Sequence, residues 1–167
     1  MIAALSFWET LMIIRKMEEK DLEAVSAICM DSFSQSVAGT LSDEGITTFS
    51  NIAARDAFLD RMKGDNLMLV AENSENVEGV IELKEGRHIA MLFIRPESQK
   101  SGIGRKLLIS ALNHAKVETV TVSASLSSVT AYENYGFECS SEVGESAGLV
   151  YQPMELKLNK AMHATSA

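Results

Sequence analysis

The sequence predicts an α+β domain built on a mixed, mostly antiparallel central sheet flanked by helices. Three observations carry that expectation. Strand-like runs at residues 67–71, 77–83 and 89–94 are joined by short polar turns at 73–76 and 84–86, the pattern of an antiparallel meander. Ile103, Leu107, Leu108, Ala111, Leu112 and Ala115 then recur at helical spacing ahead of an alternating run at 119–124. Strand, helix and strand in that order make a crossover between parallel strands. Residues 137–143 and 149–158 close the chain as a hairpin around Gly144 and Gly148.

Each element has a local reason. Ile13, Ile14 and Met17 form a short first strand. Residues 21–33 put Leu22, Val25, Ile28, Cys29 and Phe33 on one helix face, with Asp21 as the capping residue. Residues 34–41 are rich in Ser, Gly and Thr and read as a loop. Ser42-Asp43-Glu44 starts a helix, because acids suit its positive end. Phe58, Leu59 and Met62 mark another, stopped by residues 63–66. The run at 89–94 is almost continuously apolar, as for a strand covered on both faces. Residues 127–135 form a short helix that ends at Gly136.

The chain has 167 residues, 46% of them hydrophobic and 23% charged. That is enough for one domain with a real core, and it argues against a disordered chain. The domain is expected at residues 12–158, with 1–11 as an N-terminal extension and 159–167 as a tail. Residues 1–11 begin with an apolar stretch at 1–8, yet no basic residue precedes it and Glu9 follows it, so they make a poor signal peptide. They are an extension, a leader turn or residues ahead of a start at Met12. No apolar run is long enough to span a bilayer, so no membrane partner is expected. The net charge of −8 repels phosphate backbones, which disfavours nucleic acid and favours cationic ligands. Cys29 and Cys139 lie outside any metal-finger spacing. The expectation is two buried thiols in a reducing cytoplasm, with no disulfide and no metal site.

The chemistry is concentrated in Ile94-Arg-Pro-Glu-Ser-Gln99-Lys-Ser-Gly102-Ile-Gly104-Arg-Lys-Leu-Leu108. The stretch leaves a strand, passes two glycines and enters an amphipathic helix. Glycines let backbone N–H groups approach a ligand, and a helix start offers unpaired donors and a positive dipole end. Arg95, Lys100, Arg105 and Lys106 stand there against Glu97 alone, in an otherwise acidic chain. A phosphate group is the expected ligand. The P-loop pattern is absent, and Leu107 stands where a dinucleotide fingerprint needs its third glycine.

Gln99-x-x-Gly102-x-Gly104 resembles the coenzyme A loop of the GCN5-related N-acetyltransferase (GNAT) superfamily. Leu92-Phe-Ile-Arg-Pro96 precedes it as that family's hydrophobic strand does, and Ala131-Tyr-Glu-Asn-Tyr-Gly-Phe137 resembles its Phe-Tyr-x-x-x-Gly-Phe ending, with Ala131 in place of the usual bulky residue. The resemblance runs over residues 12–158 in element order. It implies a GNAT-like sheet with a splayed strand pair forming the CoA cleft, and acetyl-CoA as cosubstrate. It implies that the amides of Lys100, Ser101, Gly102, Ile103, Gly104, Arg105 and Lys106 hold the pyrophosphate, with Gln99 opening the cofactor-binding loop. Leu92, Phe93 and Ile94 would pair with the pantetheine arm, and Ser125 stands near the family's orienting Asn. Tyr132 matches the tyrosine that protonates the departing thiolate, with Tyr135 as the alternative. His88 stands at the family's general-base position, with Glu82 and ordered water as competitors.

The resemblance implies direct transfer of an acetyl group to a primary amine, small molecule or peptide, in a ternary complex. Asp31, Asp43, Glu44, Asp56, Asp60, Glu138, Glu142 and Glu145 either attract a cationic amine, such as a polyamine, or serve solubility. Two other readings stand beside it: a CoA-binding regulatory module without turnover, and a nucleotide-binding protein outside the family. Some members dimerise through C-terminal strands, and residues 149–158 would carry that contact here.

Overall fold

Alternating side chains let one sheet serve two cores. The computed structural model describes residues 12–74 and 76–159. The strands are β1 (Met12–Lys16), β2 (Asn66–Asn73), β3 (Asn76–Lys84), β4 (His88–Ile94), β5 (Thr119–Ala124), β6 (Glu138–Cys139), β7 (Gly144–Ser146) and β8 (Leu149–Lys157). The helices are α1 (Leu22–Ser36), α2 (Asp43–Ile52), α3 (Arg55–Met62), α4 (Ile103–Leu112) and α5 (Val129–Asn134). The sheet runs β1-β2-β3-β4-β5-β8-β6, and β7 pairs with β8. Every pairing is antiparallel except β4 with β5.

In β2, Leu69 and Ala71 face α4, while Met68 and Val70 face α1, α2 and α3. In β3, Ile81 and Leu83 join the first core and Val80 the second. Burial of apolar side chains on both faces therefore holds the meander in register. Leu107, Leu108 and Ala111 of α4 cover one face. Leu22, Val25 and Ile28 of α1, with Phe58 of α3, cover the other.

Two irregularities prepare the cleft. Glu82 pairs with Met91 but Leu83 pairs with Ile89, so Ala90 is an extra residue in β4. Bulges of this kind bend a strand and re-aim its side chains. In addition, β4 meets β5 only at His88–Thr121 and Ile89–Val122. Beyond Ile89 the two strands part. Leu92, Phe93 and Ile94 are accordingly half-buried, so the expectation of a strand covered on both faces fails at this end.

The local expectations hold with several corrections. Ser42 caps α2, its hydroxyl accepting from the Gly45 N–H at 3.3 Å. Asp21 does not cap α1. Its carboxylate accepts from the Glu18 N–H at 2.8 Å and from both terminal nitrogens of Arg15, closing a 3-10 turn at Glu19–Asp21 ahead of the helix. Residues 34–36 continue α1 and Ala38–Thr40 form a 3-10 turn, where a loop was expected. Gly144 lies within β7, and the tight turn falls on Ala147 and Gly148, both with positive φ. That conformation suits the right-handed twist of a two-residue hairpin. Cys29 is buried and its thiol is pushed up to about 12 by that burial, but Cys139 is exposed, not buried as expected.

Residues 1–11 and 160–167 lie outside the described residues, as does most of the expected extension and tail. No helix among the described residues is long and apolar enough to cross a membrane.

Candidate active site

The parting of β4 and β5 opens a cleft of about 560 Å³. Its floor is Leu92, Phe93 and Ile94 of β4. One wall is the loop into α4, through Ser98, Gln99, Lys100, Gly102, Ile103 and Arg105. Ser125, Ser128 and Ala131 bring the opposite wall from the β5–α5 connection, with Tyr132 and Tyr135 behind them.

The loop is built to present donors. Gly102 has φ +87°, and Lys100 is also left-handed at φ +64°. A Cβ on Gly102 would meet nothing within 4 Å, so the backbone conformation, not crowding, is what asks for glycine here. The first intrahelical bond of α4 runs from the Lys106 N–H to the Gly102 carbonyl at 3.2 Å. The amides of Ile103, Gly104 and Arg105 therefore have no acceptor within the helix. Gly104 also lines the cleft, and its lack of a side chain has a packing consequence as well. A Cβ there would lie 2.7 Å from the Tyr135 hydroxyl, so the missing side chain leaves room for that ring against α4. Gln99 braces the loop, its side-chain amide donating to Ser32 Oγ and to the Ile94 carbonyl, both at 3.2 Å. Ser101 and Lys106 are exposed and stand off the cleft wall.

A smaller cavity of about 230 Å³ adjoins the first. The two share Val37, Leu92, Phe93, Ser125, Ser128 and Tyr132, so these residues mark their junction. Phe33 of α1, Phe49 and Ile52 of α2, and Leu149 of β8 supply the far walls. None of these residues was expected in the site. Phe33 and Phe49 are apolar positions on amphipathic helices, and periodicity alone cannot separate a cavity wall from a core face.

Tyr132 is only 7% exposed and packs edge-on against Tyr135 and Phe137, with ring centroids at 6.0 and 5.3 Å. Its hydroxyl has no hydrogen-bond partner among the described residues. Burial, reinforced by Tyr135, holds the phenol above its ordinary pKa, so it stays protonated. Ser125 Oγ lies 2.6 Å from Ser128 Oγ across the turn that launches α5.

His88 is not brought to the site. It lines neither cavity, and its Nδ1 lies 2.7 Å from Thr121 Oγ1. Burial, with Arg87 and Lys84 nearby, pushes its pKa down. Glu82 is 1% exposed and lines neither cavity either. Arg61 Nε donates to its two oxygens at 3.2 and 3.1 Å. None of the eight acids considered for attracting a cationic acceptor reaches a cavity wall. No cluster among the described residues could hold a metal ion.

Comparison with known proteins agrees with this fold. Residues 37–158 match the model of the acetyltransferase (GNAT) domain. No curated protein matches. A GCN5-related N-acetyltransferase from Rhodopseudomonas palustris superposes with a TM-score of 0.75 at 23% identity, over 87% of this chain and 95% of that one. The PaiA N-acetyltransferase of Thermoplasma acidophilum, solved with coenzyme A, gives 0.73 at 24% identity, over 88% and 99%. A spermidine N-acetyltransferase of Vibrio cholerae, solved with CoA and spermine, gives 0.63 at 18%, over 89% and 96%. With the glycine loop, the parted strands and the buried tyrosine in place, the family match covers most of the domain, and the chain belongs to the GNAT acetyltransferase family.

Proposed function

We propose that this protein transfers an acetyl group from acetyl-CoA to a primary amine, directly and without a covalent enzyme intermediate. The observation that carries the reading is the position of Tyr132, a protonated phenol at the junction of the two cavities and beside the free edge of β4. The residues fit the cosubstrate. The free amides of Ile103, Gly104 and Arg105, with Lys100 and Arg105 on the wall, suit a pyrophosphate. Leu92, Phe93 and Ile94 have no β5 partner, and their open edge suits the amides of a pantetheine arm.

When bound, acetyl-CoA supplies a thioester carbonyl that amines can attack. The C–N bond forms, the C–S bond breaks, and Tyr132 gives its proton to the departing sulfur. Among the described residues neither cavity wall carries a His, Asp or Glu. The amine therefore loses its proton to water at the junction, where Ser125 and Ser128 offer hydroxyls, and His88 and Glu82 have no part in that step. Alignment of the two reactants across the junction supplies much of the rate.

The test has two parts. Acetyl-CoA at 100 times its Kd should stabilise the fold by about 2.7 kcal/mol, a rise in Tm of roughly 5–11 °C. Tyr132→Phe should keep that rise while losing roughly 10²–10⁴ in turnover. Absence of stabilisation would reject the cosubstrate. Full turnover in the variant would remove Tyr132 as the acid.

A further inference from the structure

Resting on that reading, we infer that the acceptor is a compact monoamine carried on an apolar, preferably aromatic, body, and not a polyamine. The smaller cavity supports this in its chemistry and its size. Its polar side chains, Ser123, Ser125, Ser128 and Tyr132, stand on the β5–α5 side, three of them at the junction with the larger cleft. Every side chain beyond is hydrocarbon or sulfur, among them Phe33, Phe49, Ile52, Met91 and Leu149. An amine nitrogen fits the polar end beside Tyr132, and its carbon body fits the remainder.

A second ammonium finds no counter-charge there. Moving an unpaired charge out of water costs several kcal/mol. The charge that touches the wall from behind is itself a cation. Arg61 donates from Nη1 to the Ile52 carbonyl at 3.0 Å and from Nη2 to Met91 Sδ at 3.6 Å. Its Nε holds Glu82, which is thereby committed to the guanidinium.

The rings also favour an aromatic guest. Phe33 and Phe49 stack at 3.9 Å and 9°, which takes a face from each and leaves less π surface for an ammonium. Phe93 meets Phe49 edge-on at 5.4 Å and 63°, the geometry that a further ring can extend. At about 230 Å³ the chamber falls below the range of drug-sized sites, about 300–1,000 Å³, so the guest is small.

The experiment is titration calorimetry of 2-phenylethylamine and of spermidine into the full-length protein saturated with CoA. It is repeated on Ile52→Glu, a change at an exposed rim position, and on Leu149→Glu. We expect 2-phenylethylamine to bind at least about 10-fold tighter than spermidine, the fold-change of some 1.4 kcal/mol. Either introduced carboxylate should narrow or reverse that ratio. Equal or tighter binding of spermidine by the natural protein would overturn the inference, as would failure of both amines to bind. Stabilisation by acetyl-CoA is read separately, so loss of the acceptor assignment and loss of the acetyl-transfer reading give different results.

Discussion

Gly45→Ala should unseat the hairpin that carries Leu149 into the smaller cavity. Helix α2 meets the β7–β8 turn backbone to backbone. A Cβ on Gly45 would lie 2.3 Å from the Gly148 carbonyl oxygen and 2.9 Å from its carbon. Both obstacles are main chain, so no side-chain rotation relieves them. The Thr48 hydroxyl donates to the Ala147 carbonyl at 2.7 Å and ties the same two elements. Overpacking costs about 1–3 kcal/mol, and a backbone clash belongs at the upper end. Alanine returns up to about 1 kcal/mol as the better helix former. The net is a loss of about 2 kcal/mol, or roughly 4–8 °C in Tm for a chain of this length. Gly39→Ala is the matched control, because its Cβ would meet nothing within 4 Å. It should be neutral or stabilising by up to about 1 kcal/mol. Differential scanning calorimetry of the two variants beside the natural protein decides the matter. If Gly45→Ala melts at or above the natural protein, the contact yields and the argument for a fixed hairpin wall is wrong.

Three further predictions concern Arg61, Glu82 and His88. Arg61→Met leaves Glu82 in the core without its partner and should cost about 3–5 kcal/mol in denaturant unfolding, with Glu82→Leu in the same chain recovering most of it. Burial outweighs Arg61 and holds the Glu82 pKa above its ordinary range, so the folded state binds the proton more tightly. Stability should fall as pH rises from the ordinary carboxylate range through the raised folded pKa, and Glu82→Gln should flatten that slope. His88 has the opposite sign. Its folded pKa is depressed, so stability should decline as pH falls below about 6.5, where the unfolded imidazole takes its proton first. His88→Gln should remove that decline while leaving the acidic limb of the kcat/KM profile in place. Loss of that limb would restore His88 as a base.

The glycine loop was legible because its requirements are local. A positive φ at Gly102 and free amides at the start of α4 follow from a few adjacent residues. The place of Tyr132 followed from the Gly136-Phe137 ending, with Gly136 at φ +101° turning the chain after α5. The distance of His88 from both cavities was not legible, and the bulge explains why. Ile89 shares a core with Leu92 and Ile94, whereas Met91 and Phe93 face the other core. The two-residue period therefore breaks at Ala90, and counting back from Gln99 to His88 crosses the break. Which of the two tasks open to the eight acids they serve was not legible either: none of them lines a cavity, and position along the chain does not say which way a carboxylate points.

By itself the sequence determined the element order, the mixed sheet, the glycine loop and the family resemblance, because each rests on periodicity or spacing within a short window. Only the tertiary structure decided what lines the smaller cavity. Phe33, Phe49 and Leu149 come from two helices and a late strand, and they meet because α1 and α2 bury their apolar faces against the sheet while Gly45 and Gly148 bring the hairpin into contact. A local pattern marks such residues as apolar. Whether an apolar side chain fills a core or lines a chamber depends on the gap left between distant elements, and that gap exists only once they have packed.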